Sequence, residues 1–166
     1  MNTGNIILGV ILVGICVLPF ALVYFQKRKK QAIMLIALNE KAKERNRKID
    51  KHEFGGDFVI GLDGDKACVY FHQLGKNSTT TQIVDLSKVR RCAPEKKIRS
   101  AQVGNQRTQI IENLSLVFTP MDESHKTIRF VLYDEDIHGQ LSGQLQIMER
   151  WAEKIQDLIR EPAVVK

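Results

Sequence analysis

Cys68, Tyr70 and His72 are the residues of this sequence whose types and spacing most resemble a catalytic arrangement. They alternate along a segment typical of a β-strand, so their side chains share one face of that strand. A thiol beside an imidazole can act as a nucleophile with its general base. No third residue that would orient the imidazole is evident in the sequence. We therefore expect that the protein is not an enzyme. A membrane-tethered enzyme that uses Cys68 and His72 is the alternative.

Two other groups of residues are of types that can bind metal ions. Asp134, Glu135 and Asp136 precede His138 and together offer oxygen and nitrogen ligands for a divalent cation. Acidic residues are also common in a loop before a helix, because negative charge is favourable at a helix N-terminus. The cysteines that follow the N-terminal apolar segment do not form the paired CxxC spacing of a zinc site. We expect no metal and no cofactor.

A basic segment is the strongest candidate for a binding surface. Its seven Lys and Arg residues fall within twenty positions, and only Glu95 opposes them. They are Lys88, Arg90, Arg91, Lys96, Lys97, Arg99 and Arg107. No aromatic side chain lies among them on which nucleic-acid bases could stack, so nucleic acid is not an expected partner. Residues 94–107 are expected to form a polar loop, which is either solvated or docks on an anionic membrane surface or an acidic protein partner.

The elements that must position these residues follow from the distribution of charge. The chain has 166 residues and a formal net charge of +6. Residues 1–25 contain no charged side chain, residues 26–51 carry a net charge of +7, and residues 52–166 carry −1. The sequence therefore predicts an N-terminal tail and transmembrane helix over 1–25, a basic juxtamembrane neck over 26–51, and a globular domain over 52–166.

Residues 6–25 (IILGVILVGICVLPFALVYF) have the composition of a membrane span. A helix of this length extends about 30 Å, which matches the hydrocarbon core of a bilayer. A cleaved signal peptide would carry basic residues before the apolar run and small residues after it. The basic residues instead follow the run directly, as Lys27, Arg28, Lys29 and Lys30. The segment is therefore expected to remain as a single-pass anchor in the lipid bilayer.

The same four basic residues predict the orientation. Lys and Arg that flank a span are retained on the cytoplasmic side, so the N-terminus should lie outside and the globular domain in the cytoplasm. We therefore expect localisation in the plasma or inner membrane.

The neck contains no glycine or proline and is rich in helix-forming residues, so the helix is expected to continue to about Lys48. Within it, residues 32–38 (AIMLIAL) form an apolar run that is too short for a second span. The run could lie among the lipid headgroups, pack on the globular domain, or pair with a second copy of the chain. Packing on the domain is the simplest of these three interpretations.

The globular domain has an α+β pattern. Alternating apolar residues predict about six antiparallel strands in a meander or small barrel. The segments are 58–62, 67–71, 79–86, 89–93, 109–119 and 127–133. A following stripe of apolar residues at helical spacing, from Leu141 to Ile159, predicts a C-terminal helix that covers the sheet.

This layout resembles the pleckstrin-homology-like superfold, in which consecutive antiparallel strands precede one C-terminal helix that carries a Trp, here Trp151. The resemblance covers residues 54–161 and rests on layout, with about six strands where the superfold has seven. It implies an interaction module. The turn between the first two predicted strands, residues 63–66 (DGDK), lacks the basic cluster of phosphoinositide-binding members, so that activity is not carried over. The sequence thus predicts a membrane-anchored module for a protein partner or the anionic membrane surface, or alternatively an accessory subunit of a membrane protein complex.

Overall fold

The structure is a computed structural model that describes residues 3–75, 78–103, 106–138 and 140–160, without the side chains of residues 3–11, 14, 101, 103, 106 and 107. Two α-helices and seven β-strands make up the described chain. They are α1 (Thr3–Lys43), β1 (Ile49–Phe54), β2 (Phe58–Asp63), β3 (Cys68–Leu74), β4 (Thr79–Asp85), β5 (Val89–Val103), β6 (Gln106–Pro120), β7 (Ile128–Asp134) and α2 (Gln144–Arg160), with a 3-10 turn at Leu86–Lys88.

The strands form two antiparallel sheets of four and three strands, in the orders β1-β2-β3-β4 (sheet A) and β5-β6-β7 (sheet B). The α+β class, the meander and the C-terminal helix are therefore confirmed. The count is seven strands, one more than the sequence indicated. The additional strand is β1 (IDKHEF), which begins inside the expected neck and crosses its boundary with the domain. Its central side chains, those of Asp50, Lys51 and His52, are polar and exposed, so it lacks the apolar alternation that marks β2 and β3.

The prediction of a loop over residues 94–107 is wrong. β5 and β6 each have 15 residues and pair from Val89↔Pro120 to Val103↔Gln106. β7 ends at Asp134, opposite Asn113, so within the described residues no third strand pairs with the outer part of this hairpin. The described side chains of residues 95–109 are exposed, so this stretch lacks the apolar pattern by which a strand is recognised in a sequence.

The main core lies between the two sheets and beneath α2. The rings of Phe71 on β3 and Phe130 on β7 stack with centroids 4.8 Å apart, which joins sheet A to sheet B. Met148 and Ile155 of α2 are fully buried against this core. The Trp151 indole nitrogen donates a hydrogen bond of 2.8 Å to Glu53 on β1, so α2 also closes against the first strand.

A second core lies on the opposite face of sheet A, beneath the second half of α1. Met34, Leu38 and Ala42 of α1 are fully buried there, together with Val59 and Tyr70 among other sheet residues. Of the three roles considered for the apolar run, packing on the domain is therefore the one that the structure adopts.

The close approach of α1 depends on Gly61 of β2. A Cβ atom at this position would lie 2.9 Å from Leu38 Cδ2 and 3.0 Å from Ile49 Cγ2, closer than ordinary carbon contacts. Because Gly61 has no side chain, Leu38 can pack directly against the backbone of β2.

The end of α1 is fixed by two local features. Asn46 adopts a positive φ of 54° and the Arg47 N–H bonds back to the Ala42 carbonyl at 2.9 Å, an arrangement that terminates a helix. The helix thus ends at Lys43, a turn before the expected Lys48. Arg47 then pairs with the buried carboxylate of Asp63 at 2.8 Å, which ties the helix end to sheet A.

No helix within the described residues is long and apolar enough to cross a membrane. The expected span, residues 6–25, includes residues 6–11 and 14, whose side chains lie outside the described set.

Candidate interaction surfaces

The basic exit of the apolar segment is joined to the domain by an ion pair. Lys30 pairs with Asp57, which lies in the turn between β1 and β2. On its other side, Asp57 Oδ2 lies 3.8 Å from His138 Nε2, in the loop that leads to α2. His138 is buried, its Nδ1 contacts the backbone of Asp134 at 3.0 Å, and its ring stacks on Tyr133. Of the four basic residues at the exit, Lys30 is thus the one that lies against the domain. Lys27, Arg28 and Lys29 are exposed.

The acidic segment before α2 forms contacts with neighbouring strands. Glu135 pairs with Arg99 of β5 at 2.8 Å, and the Asp134 carboxylate accepts a hydrogen bond of 3.2 Å from Asn113 of β6. Within the residues that the structure describes, no three His, Cys, Asp or Glu side chains are grouped closely enough to hold a metal ion. These acidic residues thus contribute to the attachment of the loop to sheet B.

Cys68 and His72 share a face of β3 but do not form a nucleophile–base pair. Four steps along an extended strand place their Cα atoms about 13 Å apart, and Tyr70 lies between them on the same face. Burial raises the pKa of the Cys68 thiol, which disfavours the reactive thiolate. His72 Nδ1 instead lies 2.8 Å from Thr81 Oγ1 of β4.

His72 should make the stability of the fold depend on pH. Burial lowers its pKa from the ordinary value of 6.5, so the folded state binds its proton less tightly than the unfolded state. We expect the free energy of unfolding to fall as the pH drops below 6.5, and His72→Gln to reduce this loss. Urea titrations at several pH values would measure it, with the exposed His52→Gln as the matched control. Equal pH dependence in all three proteins would contradict this assignment.

The structure describes the side chains of six of the seven predicted basic residues, and these six differ in their contacts. Three of them have acidic partners on other elements: Lys96 pairs with Glu149 of α2 at 2.7 Å, and Lys97 and Arg99 both pair with Glu112 of β6, at 3.1 and 3.4 Å. These ion pairs reduce the positive charge available to an anionic ligand.

Of the other four basic residues, three lie near the start of β5, and the side chain of the fourth is not among those that the structure describes. Arg90 donates a hydrogen bond of 3.0 Å to the carbonyl of Met121, near the start of β5. Lys88 and Arg91 are exposed in the same region. The side chain of Arg107 is outside the described residues. Among the basic residues whose side chains are described, those from Lys96 to Arg99 are ion-paired, and only those at the end of β5 near Lys88 have no acidic partner in the described chain.

A groove at that end was not expected from the sequence. This groove, which we name the β4–β7 groove, has a volume of about 480 Å³. Apolar lining residues come from β4, β5, β6, β7 and the turn between the last two: Ile83, Val89, Phe118, Met121 and Ile128. Met121 and Ile128 are 53% and 36% exposed, so apolar surface faces solvent there. An exposed methionine inside a polar turn was the signal in the sequence that could have indicated it.

No protein family, curated protein or solved structure matches this chain.

Proposed function

We propose that this chain is a single-pass membrane protein that presents a pleckstrin-homology-like interaction domain to the cytoplasm and acts through a protein partner, not as an enzyme. The observation that carries the proposal is that α1 contains both the apolar N-terminal segment and part of the domain core. One helix extends from Thr3 to Lys43, and its second half forms part of the domain core through Met34 and Leu38. An anchor built in this way would hold the domain in a fixed orientation.

The first half of α1 supports the membrane assignment. Its described large apolar side chains are exposed, including Phe20 (77%), Val23 (66%) and Phe25 (66%). A helix that is apolar on all sides is normally buried in protein or lipid. Since the rest of the described chain does not cover these side chains, a bilayer is the environment that we propose for them.

Charge supports the orientation. Lys27, Arg28 and Lys29 are exposed at the point where the apolar segment ends, and each Lys or Arg near an anionic leaflet is attracted by about 1 kcal/mol. We propose that this flank lies at the cytoplasmic surface of the plasma or inner membrane.

The proposed superfold is supported by the arrangement of strands. Sheets of four and three antiparallel strands followed by one helix agree with the seven strands of the superfold better than the six first expected. With β1 included, the turn between the first two strands is residues 55–57, and residues 64–67 lie between β2 and β3. Neither turn has a basic cluster, so we do not propose phosphoinositide binding. The fold favours a binding module by analogy alone.

An accessory subunit of a membrane protein complex is the second candidate. Ile33 and Ile36 of α1 face away from the domain and are 51% and 58% exposed. They lie beyond the basic exit, where a neighbouring subunit could cover them. Native purification in mild detergent distinguishes the two candidates, because stoichiometric membrane subunits would favour the accessory role.

The proposed topology predicts an asymmetric labelling pattern. Thr3→Cys and Ser124→Cys are each placed in a chain with Cys16→Ala, and intact cells are treated with a membrane-impermeant maleimide. We expect Thr3→Cys to be labelled from outside and Ser124→Cys only after lysis. Labelling of Ser124→Cys in intact cells would reverse the orientation, and release of the chain by alkaline carbonate would exclude the anchor.

A further inference from the structure

The β4–β7 groove lies at the end of the domain away from the proposed membrane exit. Lys30 contacts the turn between β1 and β2, whereas Arg45, just beyond the end of α1, lines the groove. The helix from Lys30 to Lys43 covers about 20 Å along its axis. With α1 anchored in a bilayer, the groove is therefore separated from the lipid surface by the length of the neck.

Two strand edges border the groove. In the part of the chain that the structure describes, β4 pairs with β3 alone and β7 with β6 alone. The outer edges of β4 and β7 therefore carry backbone donors and acceptors without a neighbouring strand. An extended segment can bind such an edge through its main chain and place alternate side chains in an adjoining apolar groove.

Three cations and two carboxylates line the groove, so the lining carries a net charge of +1. Arg45, Lys88 and Lys126 line it and have no ion pair within the described residues. Its two carboxylates already accept hydrogen bonds from their own loops: Asp85 from the Ser87 backbone N–H at 3.0 Å, and Asp122 from that of Ser124 at the same distance. Three cations without ion pairs, together with two carboxylates held by their own loops, thus surround an apolar floor.

We propose that the β4–β7 groove binds an extended segment of a cytoplasmic protein partner in which acidic and apolar residues alternate. The apolar side chains would contact Met121 and Ile128, and the acidic ones would pair with Lys88 and Lys126. This inference rests on the proposed function, because it names the partner chemistry of the same module. Electrostatic complementarity of this kind favours one partner class over a neutral or basic one.

The test uses the full chain in detergent micelles and a fluorescein-labelled short peptide that alternates glutamate with valine. Fluorescence polarisation should show saturable binding, and Lys88→Glu combined with Lys126→Glu should weaken it by about tenfold or more. Met121→Ser should weaken it as well, since it removes exposed apolar contact without entering the core. Lys43→Glu is the matched control, because this exposed cation does not line the groove.

Equal binding of a peptide with lysine in place of glutamate would overturn the proposal, as would binding that the groove variants leave unchanged. Groove-dependent binding of phosphatidylserine vesicles without binding of the peptide would also overturn it and assign the groove to lipid. Thermal unfolding of each variant confirms that the fold is kept. The assay in micelles does not depend on membrane insertion, so its failure and a failure of the topology test remain distinguishable.

Discussion

Replacement of Leu38 by alanine is expected to lower the free energy of unfolding by about 2–5 kcal/mol, the range for large-to-small changes in a close-packed core. Leu38 is fully buried between α1 and sheet A, where it packs with Val59 and Tyr70 and approaches Gly61. The loss of its side chain leaves a cavity that the helix and sheet can close only in part. Urea unfolding in detergent micelles, followed by the fluorescence of the single Trp, measures the effect.

Ile36→Ala is the matched control for this prediction. Ile36 lies two residues away on the same helix but is 58% exposed, so its replacement should change stability by no more than about 0.5 kcal/mol. Similar losses for both variants, or none for either, would show that the second half of α1 is not part of the domain core.

Removal of α1 is expected to have a larger effect. A chain that begins at Ile49 keeps every strand but exposes the sheet A residues that α1 covers, among them Val59, Cys68 and Tyr70. An exposed apolar sheet face promotes aggregation. We expect this chain to aggregate without detergent, whereas a chain that begins at Lys30 should remain soluble and folded, because it retains Met34, Leu38 and Ala42.

Size-exclusion chromatography and thermal unfolding of the two truncated chains provide the measurement. A monomeric chain from Ile49 with the same unfolding temperature as the longer chain would contradict the account. It would mean that α1 only tethers the domain and does not stabilise it.

The elements that the sequence predicted are those with one buried and one exposed face. The apolar stripe of α2 and the alternation in β2 and β3 reflect such faces, and all three elements occur near their expected positions. β1 and the outer part of the β5–β6 hairpin were missed for one physical reason. Many of their side chains are charged and are either exposed to water or ion-paired. These strands are therefore defined by hydrogen bonding to their neighbours and carry no apolar pattern in the sequence.

The candidate surfaces were harder to predict than the fold. Nearness in sequence suggested one basic patch, but the partners of Lys96 and Lys97 lie on different elements, α2 and β6. Conversely, Arg45, Lys88 and Lys126 come from three distant segments and meet only in the folded chain. Pairings of this kind depend on strand register and on the corner between the two sheets, which local patterns do not encode.

The central claim is that one helix is embedded in lipid over its first half and packed in the domain over its second half. Cysteine scanning of α1 in proteoliposomes that expose the domain, with Cys16 replaced by alanine and an impermeant maleimide, tests it most directly. The account predicts no labelling at positions from Leu12 to Phe25, rapid labelling at Ile33 and Ile36, and slow labelling at Leu38. Labelling throughout the first half, or equal rates at Ile36 and Leu38, would contradict it.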